Sequence, residues 1–588
     1  MSTVGDLYEW MKAWEEHGAV GSGPAEVRDA AEAHPGRYRS ALTARYPDPL
    51  FRPLYTGPQV VKGTTEGPSP HDDRASFAER KWKNYLDEHS TPIAEHGWRA
   101  PSINTTDVFE RATVVAEALV AARAAHRRIH PVAAGHSASA VAKPDDHGHL
   151  ITADGLGGVG APVCVRAGVP TGHLRMAGAG IRLRALNQAL AAERLSLLNL
   201  GGYDGQTLAG ALFTGTHGSG LHLPALYGTV ASIWLVTLDA AGAPLLRVVE
   251  PAGGISDATA VAAGASKAGL RAQVDQRDDW FDAVVLGMGW FGMVVAVTLQ
   301  VQPEEWIAQT KELMPLARAA ARLEEDQAAV ERLEWVLNPQ PVWQLDGTWD
   351  HSCLVVKRTT IPRPAGGKAR WPTTRFLSYV DDQIGEAAGS VTARMAQVLA
   401  GRQGVAPLLH NTLGSQQCQR FATAMPQALV LAAGNHFLAK SCELFVPYAQ
   451  TLPAVHRVLE VARAEAAAGR RFNAPMGVRF CALTRGWLSP TDRGDGQPSA
   501  SIEVPILLPR RAGHPRVPAV DRMLTTMIDA LAQAPYGARP HWGQFHRLDA
   551  GSLPRFYAPH RIAAYAAARR EFDPTNLFGN ALSDALGF

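Results

Sequence analysis

Small residues are concentrated in one stretch of the sequence, residues 200–220, which reads LGGYDGQTLAGALFTGTHGSG. Side chains this small let the backbone approach a ligand closely, and successive backbone N–H groups can form a concave anion site. The hydroxyls of Thr214, Thr216 and Ser219 could contact a phosphate or the edge of a flavin. The alternative is a cluster of glycine-rich turns that pack together for steric reasons alone.

Two other stretches match the pattern G-x-G-x-x-G, at residues 155–160 and 287–292. Both are followed by apolar, strand-like sequence. The dinucleotide-binding fingerprint needs a helix after its last glycine, because the N-terminus of that helix holds the pyrophosphate. Neither match therefore predicts a Rossmann site. The pair His147 and His149 is more typical of a solvated loop than of a metal site, and we assign no metal ligands.

The elements around these residues begin with a helix. Asp107 and Glu110 form a capping pair, and one apolar face then recurs at helical spacing. That face consists of Val108, Ala112, Val115, Leu119 and Ala122. The apolar run at 131–134 follows and leads into Gly135-His136-Ser137, so helix, strand and small-residue loop make an α/β unit.

The composition changes along the chain. Residues 1–98 are the least patterned and contain one candidate helix at 7–16. Glycine-separated strands, including 233–238 and 293–299, dominate up to about 302. Helices are predicted beyond Pro303, at 319–337, 453–468 and 520–534, and this shift marks a second domain. The segment 539–588 regains the glycine and aromatic content of the first half.

Length and charge limit the possible functions. The 588 residues carry 57 Lys and Arg against 55 Asp and Glu, so the net charge of +2 does not indicate a nucleic-acid or membrane partner. Five cysteines without a CxxC pair indicate neither a disulfide framework nor a zinc site. No signal peptide and no membrane-length apolar run is visible. We expect a soluble, cytoplasmic protein of several domains.

Four segments occur in an order that is specific when they are taken together. They are 134–137 (AGHS), 201–220, 289–295 (GWFGMVV) and 540–543 (PHWG). In this order they resemble the FAD-dependent vanillyl-alcohol oxidase/p-cresol methylhydroxylase (PCMH) superfamily. Within it, the sequence is most similar to the alditol oxidase and aldonolactone oxidase branch.

The resemblance implies an α+β fold. A PCMH-type FAD-binding domain of two α/β subdomains is expected beside a substrate domain whose antiparallel sheet is covered by helices. With the composition shift, this divides the chain into an N-terminal extension (1–98), the FAD-binding domain (99–305), the substrate domain (306–538) and a C-terminal segment (539–588) that completes the FAD-binding domain.

The resemblance also implies the cofactor contacts. In similar oxidases the histidine at the position of His136 is joined covalently to the flavin, and the alternative is a histidine that only hydrogen-bonds there. Residues 200–220 contain no cysteine, so one covalent link is expected. The other cofactor-binding residues implied are Gly135, Ser137, Ala138, Ser139, Gly201, Gly202, Gln206, Thr207, Gly210, Thr214, Thr216, His217, Gly292, Val294 and Asn580.

Four residues are the candidates for catalysis. Arg479 matches an arginine of the family that stabilises negative charge, and its alternative is a structural ion pair. Gln544 stands where the family usually has a lysine, and with His541 it would orient substrate and flavin. Glu503, on a predicted strand at 501–507, could act as the base in place of a carboxylate that the family carries at Gly477. A solvated strand residue is the alternative for Glu503.

The polar groups that bind polyols in the family are largely missing, because their positions fall on Gly202, Ser441 and Gly477. We therefore expect a larger, less polar or differently functionalised substrate, such as a secondary metabolite or a sugar derivative. A sterol-like alcohol is an alternative, although the missing carboxylate at Gly477 counts against it as well. The implied reaction moves a hydride from a CH–OH or similarly activated CH group to flavin, which O2 reoxidises with formation of H2O2. Gly201 occupies a position where dehydrogenase relatives carry a bulkier residue, which favours an oxidase. A dehydrogenase with a carrier acceptor and a flavin-binding protein without oxidase activity are the alternatives.

Overall fold

The structure is a computed structural model that describes residues 107–145 (except 125 and 127), 149–152, 156–343, 349–367, 420–430, 439–508 and 517–588, with short strands at Ala75–Ser76, Lys81–Lys83, Ser90–Pro92 and Trp98–Arg99. The candidate helix at 7–16 and His147 lie outside these residues. None of the helices in the described ranges combines the length and the apolar character that crossing a membrane requires.

The helix Val108–Ala124 begins where the sequence predicts. The Asp107 carboxylate accepts hydrogen bonds from the backbone N–H groups of Phe109 and Glu110, at 2.8 and 3.4 Å. The five residues of the predicted apolar face are all buried. They pack against the strands of the first large sheet, so the predicted α/β unit is confirmed.

This sheet is six-stranded and mixed. In order across the sheet, its strands are Arg271–Gln276, Pro244–Glu250, Val230–Leu238, Met293–Gln300, Leu174–Gly178 and Val159–Gly160. The first two run parallel, with the helix Ala258–Lys267 between them in the chain, and the other pairs are antiparallel. The strands predicted at 233–238 and 293–299 are confirmed.

Smaller elements complete this part of the molecule. A parallel three-stranded sheet has the order Trp98–Arg99, His149–Thr152, Ile129–Val132, and Leu195–Ser196 pairs with Gln302–Pro303. The shorter α-helices are Leu183–Ala192, Leu208–Phe213, Asp278–Val284, Leu316–Ala321, Leu323–Ala329 and Met425–Leu429. The 3-10 helices are Ala140–Ala142, Leu226–Thr229, Ala365–Gly367, Tyr448–Gln450 and Leu553–Arg555.

The second large sheet has eight strands, all antiparallel. Their order is Arg420–Ala424, Trp306–Pro315, Trp349–Ile361, Arg332–Trp343, Met476–Cys481, Ser499–Leu507, Ala439–Pro447 and Arg539–Pro540. The helices Thr451–Ala467 and Val517–Ala532 pack on it around one apolar core, which confirms two predicted helices. The α+β class with a helix-covered antiparallel sheet is also confirmed.

The predicted helix at 319–337 is wrong in its second half. The chain forms the helices Leu316–Ala321 and Leu323–Ala329 and then enters the strand Arg332–Trp343. Leu333, Trp335 and Leu337 alternate into the core, which is the period of a strand. Pairing with two neighbouring strands therefore outweighs the helical propensity of the charged residues.

The C-terminal segment returns to the first half of the molecule. The helix Pro559–Phe572 packs against Asp278–Val284, and Tyr565 contacts the rings of Trp290 and Phe291. After it, Ile129 donates a backbone hydrogen bond to the Leu577 carbonyl (2.8 Å). The last helix, Ala581–Ala585, begins with a capping box at Asn580. The division of the chain at 305 and 538 stays a prediction.

Candidate active site

A cavity of about 440 Å³ lies between the loops of the first half and the eight-stranded sheet. Residues from 130–137, 206–214 and 287–294 line it from the first half of the chain, and residues from 439–441, 474–475 and 503–507 line it from the sheet and its loops. Residues from 541–544 line it between the two, next to Thr214 and Ser441. A cavity of this size with a few convergent polar groups is typical of a small-molecule site.

The loop that follows the strand Ile129–Val132 carries His136 into this cavity. Gly135 has a φ of 63°, a conformation that residues with a Cβ rarely adopt, so the turn requires glycine. The His136 ring stacks on Tyr203, with ring centroids 4.4 Å apart. Two hydrogen bonds to the C-terminal segment fix the end of the loop, from Ala138 N to Gly543 O (2.8 Å) and from Ser139 Oγ to Trp542 O (2.6 Å).

The second glycine-rich match, at 287–292, does not open a helix but continues into the strand Met293–Gln300, as predicted. Its residues nevertheless line the cavity. Gly289 has a φ of 82°, and a Cβ there would lie 3.5 Å from the Pro131 carbonyl oxygen. The first match likewise leads into the strand Val159–Gly160. Neither has the geometry of a dinucleotide fingerprint.

The predicted cofactor-binding residues separate into two groups. Those that line the cavity are Gly135, His136, Ser137, Gln206, Thr207, Gly210, Thr214, Gly292 and Val294. Those that do not line it are Ala138, Ser139, Gly201, Gly202, Thr216, His217 and Asn580. Asn580 instead supports the wall of the site, because its side-chain amide donates to the carbonyls of Val141 (3.2 Å) and Lys143 (2.9 Å).

His217 forms a buried ion pair with Glu443, with 2.9 Å between Nε2 and Oε1. Its Nδ1 lies 2.8 Å from the Gly218 carbonyl oxygen, so both ring nitrogens face acceptors. Burial opposes a charge on the ring, but the Cys481 sulfur and the Glu443 carboxylate outweigh it and raise the pKa of His217 well above its usual value. Burial likewise opposes ionisation of Glu443, yet His217 and Arg479 lower the pKa of that carboxyl.

His541 has the opposite protonation state. Its Nδ1 accepts a hydrogen bond from the Gly543 backbone N–H (3.0 Å), so Nε2 carries the proton of a neutral ring. Burial lowers the pKa of His541 to about 4. His217, Glu443 and His541 lie close enough to be considered as metal ligands. In these protonation states, however, neither ring presents a free nitrogen lone pair to an ion.

Arg479 lies beside the cavity and not in its lining. It faces a much smaller cavity of about 10 Å³, together with Gly202 and Glu334. Its Nη1 donates to Glu503 Oε2 at 2.9 Å and its Nε to Glu334 Oε1 at 3.0 Å, while Glu443 Oε1 lies 3.7 Å from Nη1. Burial disfavours the charge, but these three carboxylates outweigh it and raise the pKa of Arg479.

Glu503 lines the large cavity from the strand Ser499–Leu507, which was predicted at 501–507. The register of the sheet pairs Glu503 directly with Gly477. A Cβ built at Gly477 would lie 3.8 Å from both Arg479 Nη2 and Glu503 Oε2. A side chain at position 477 would therefore lie beside the Glu503 carboxylate and the Arg479 guanidinium.

Gln544 and Ser441 stand next to this carboxylate and also line the cavity. Ser441 Oγ donates to Gln544 Oε1 at 2.7 Å and lies 3.4 Å from Glu503 Oε1. The other lining residues from the eight-stranded sheet and its loops are small or apolar: Ala439, Ala474, Pro475, Pro505 and Leu507. The substrate side therefore combines one carboxylate, one amide and one hydroxyl with an apolar wall.

Sequence reasoning missed Glu334 and Arg358. Glu334 accepts from Arg479 through one oxygen and from Arg358 Nη1 through the other, at 3.0 Å each. The strand period of Leu333, Trp335 and Leu337 is the signal that could have placed Glu334 on the face opposite the core.

The residues that line the cavity fit FAD. In the loops at 131–137 and 287–294, small residues let the backbone come close to the cavity, as a flat cofactor requires. The proton-accepting and hydrogen-bonding groups Glu503, Gln544 and His541 line the same space. These residues could hold FAD, which would supply a hydride acceptor in the same cavity.

The buried histidines make the free energy of unfolding pH-dependent. Burial lowers the pKa of both His541 and His546 to about 4, whereas the pKa of a histidine in the unfolded chain is about 6.5. Between these values the unfolded chain binds more protons, so stability is lost as the pH falls, by about 3 kcal/mol for each histidine. His217 offsets part of this loss only near and above about pH 6.5, because well below that pH it is protonated in both states.

Urea unfolding between pH 7 and 4.5 should show this decline. The variant His546→Gln should have a shallower dependence on pH than the wild type, because it lacks one of the buried histidines whose pKa is lowered. Equal slopes for the two proteins would contradict the assignment of His546 as a buried neutral ring.

The model of the D-arabinono-1,4-lactone oxidase family matches residues 297–586. The chain is 27% identical over 490 residues to an L-gulono-1,4-lactone dehydrogenase of Mycobacterium tuberculosis, which covers 82% of this chain and 96% of the relative. It is 24% identical over 461 residues to an alditol oxidase of Streptomyces sp., covering 76% and 88%.

The structure is similar to a solvent-stable cholesterol oxidase, with a TM-score of 0.61 and 16% identity, covering 87% of this chain and 98% of the other. A cholesterol oxidase from B. sterolicum gives a TM-score of 0.61 at 15% identity, covering 86% and 96%. At such identities the likeness establishes a common fold and leaves the substrate open.

Proposed function

Since the chain belongs to the vanillyl-alcohol oxidase/p-cresol methylhydroxylase superfamily of FAD-dependent oxidoreductases, we propose that it is an oxidase of alcohols whose CH–OH group is attached to an apolar body. The observation that carries this proposal is the Glu503 carboxylate in the cavity wall, held by Arg479 and lying next to Ser441 and Gln544, while the rest of the sheet side of the cavity is apolar. Oxidation of an alcohol requires a group that accepts its hydroxyl proton.

Each polar residue of the substrate side has a role in this proposal. Glu503 accepts the hydroxyl proton while the carbinol C–H leaves as hydride. Gln544 and the neutral His541, whose Nε2 carries a proton, orient the substrate oxygen and the flavin. Arg479 keeps the Glu503 carboxylate in place and contributes positive charge near the reacting oxygen.

Bound FAD would supply the hydride acceptor, with O2 as the oxidant that regenerates it and is reduced to H2O2. We propose that His136 holds it covalently, as the resemblance implies. The support is that the His136 ring lies in the cavity lining and is held in one orientation by its stack on Tyr203. The predicted division into FAD-binding and substrate domains belongs to the same proposal.

The substrate is proposed from what the cavity lacks. The positions that the resemblance assigns to polyol binding are Gly202, Ser441 and Gly477, of which only Ser441 lines the cavity, and the wall from 474–475 and 505–507 is apolar apart from its backbone. A bare polyol would leave its hydroxyls without partners there. A secondary metabolite or a sugar derivative with an apolar part satisfies both the polar end and the apolar wall.

A dehydrogenase is the second candidate, since one relative is an L-gulono-1,4-lactone dehydrogenase. Gly201 favours the oxidase. A Cβ there would lie 3.1 Å from the His217 carbonyl oxygen and 3.2 Å from Thr216 Cγ2, closer than ordinary contact, so a bulkier residue at 201 would require this loop to shift.

Anaerobic mixing of the yellow protein with four alcohols tests the proposal. Cyclohexylmethanol and benzyl alcohol should bleach the flavin. In aerobic turnover, their kcat/KM should be at least about 10-fold above that of xylitol or L-gulono-1,4-lactone. In air, the same alcohols should yield H2O2 in proportion to the product formed.

Each other result has a defined meaning. Preference for xylitol or the lactone would overturn the proposed substrate class. Bleaching without O2 consumption, but with turnover of an artificial dye, would establish the dehydrogenase. A flavin that none of the four alcohols reduces would favour a flavin-binding protein without oxidase activity, and a colourless protein would overturn the cofactor assignment.

A further inference from the structure

A row of polar side chains crosses the eight-stranded sheet and ends at the cavity. We call it the charge ladder, and its members, one from each of five adjacent strands, are Gln309, Arg358, Glu334, Arg479 and Glu503. Successive members are joined by hydrogen bonds of 2.6, 3.0, 3.0 and 2.9 Å. The charges alternate in sign from Arg358 to Glu503.

Burial decreases along the charge ladder toward the cavity. Gln309, Arg358 and Glu334 are buried, whereas the side chains of Arg479 and Glu503 are 18% and 23% exposed. Burial opposes the charge of Glu334, but the guanidinium groups of Arg479 and Arg358 outweigh it and lower the pKa of Glu334. Both carboxylate oxygens of Glu334 are occupied, one by each arginine.

Two carboxylates compete for the Arg479 guanidinium. Its Nη1 lies 2.9 Å from Glu503 but also 3.7 Å from Glu443, which belongs to the buried pair with His217. A guanidinium anchored only at Nη1 could turn between the two carboxylates. The bond from Nε to Glu334 fixes the plane of the group, and Arg358 in turn fixes Glu334.

We propose that Glu334 and Arg358 are positioning residues, which hold Arg479 and through it the Glu503 carboxylate in the orientation that proton transfer requires. This inference rests on the proposed role of Glu503. Stability alone does not account for these charges, because buried ion pairs add little net stability compared with well-packed apolar residues. Misplacement of a reacting group by about 1 Å can cost about 100-fold in rate.

The variant Glu334→Gln tests the proposal, because it keeps the shape of the side chain and removes its charge. With the alcohol that gives the highest kcat/KM among the four above, kcat should fall by about 10-fold to 100-fold with little change in KM. The matched control is Asp275→Asn, which breaks the buried pair of Asp275 with Arg247 (2.8 Å) in the other sheet. That control should lose stability but keep its kcat.

A double-mutant cycle separates positioning from a general effect on the fold. If Glu334 acts through Glu503, adding Glu334→Gln to the variant Glu503→Gln should cause no further loss of kcat. Additive losses would overturn the proposal, as would a Glu334→Gln kcat within about 2-fold of wild type.

A crystal structure of Glu334→Gln gives a readout that needs no turnover. Arg479 should have left Glu503 for Glu443 or for water, and an unchanged contact at 2.9 Å would overturn the proposal. This result stands even if none of the alcohols proves to be a substrate. Failure of the proposed function and failure of the charge ladder are therefore distinguishable.

Discussion

Replacing Glu503 with glutamine should lower the rate of anaerobic flavin reduction by about 100-fold to 10,000-fold, the range expected for loss of a general base. Glutamine has the same shape, and its amide oxygen can keep the hydrogen bond from Arg479 Nη1. It cannot accept the hydroxyl proton at neutral pH. The flavin content should be unchanged, because the glycine-rich loops lie on the other side of the cavity.

Stopped-flow absorbance with the preferred alcohol measures this rate. The control is Glu312→Gln, which removes a partly exposed carboxylate from the strand Trp306–Pro315 of the same sheet and should leave the rate unchanged. A Glu503→Gln rate within a few fold of wild type would show that another group, or water, accepts the proton.

The register of the sheet provides a second check on Glu503. Gly477 lies directly opposite, and a side chain there would point toward Arg479 Nη2. In the variant Glu503→Ala, the added substitution Gly477→Glu should raise the rate of flavin reduction by at least about 10-fold, because a carboxylate again lies beside Arg479. No gain would mean that the position of the carboxylate on its own strand matters more than its contact with Arg479.

Local elements could be predicted because their signals lie within one segment. The Asp107 cap, the buried face of the first helix and the strands at 233–238 and 293–299 depend on residues a few positions apart. The strand Arg332–Trp343 was mistaken for a helix because charged residues surround its alternating core positions. Pairing with neighbouring strands makes this segment a strand, and one of those neighbours, Met476–Cys481, is distant in sequence.

The sequence brought several of the cavity-lining residues to attention but not the connections between them. Motif order pointed to His136 and Gln544, a predicted strand pointed to Glu503, and all three line one cavity. The pairing of Glu503 with Gly477 could not be derived, because register across two strands depends on the whole sheet. The bonds from Arg479 to Glu334 join residues 145 positions apart, and no local pattern reports them.

Replacing His136 with alanine should move the flavin from the protein to the solution on acid precipitation. In the wild type, the flavin should remain in the pellet, and peptide mass mapping should find it on the peptide that contains His136. Alanine has no nitrogen to bond to the flavin. The rest of the cavity lining is unchanged in the variant, so it should still bind FAD reversibly and remain yellow before acid treatment.

The control for this experiment is His173→Ala, which removes an exposed histidine at a turn outside the cavity and should leave the flavin in the pellet. Flavin on a different peptide would assign the link to another residue. Release of flavin from the wild type would disprove the covalent bond without removing FAD from the site. In that case the stack of His136 on Tyr203 would serve to shape the cavity wall, and the proposed role of Glu503 would be unaffected, because it depends on the opposite side of the cavity.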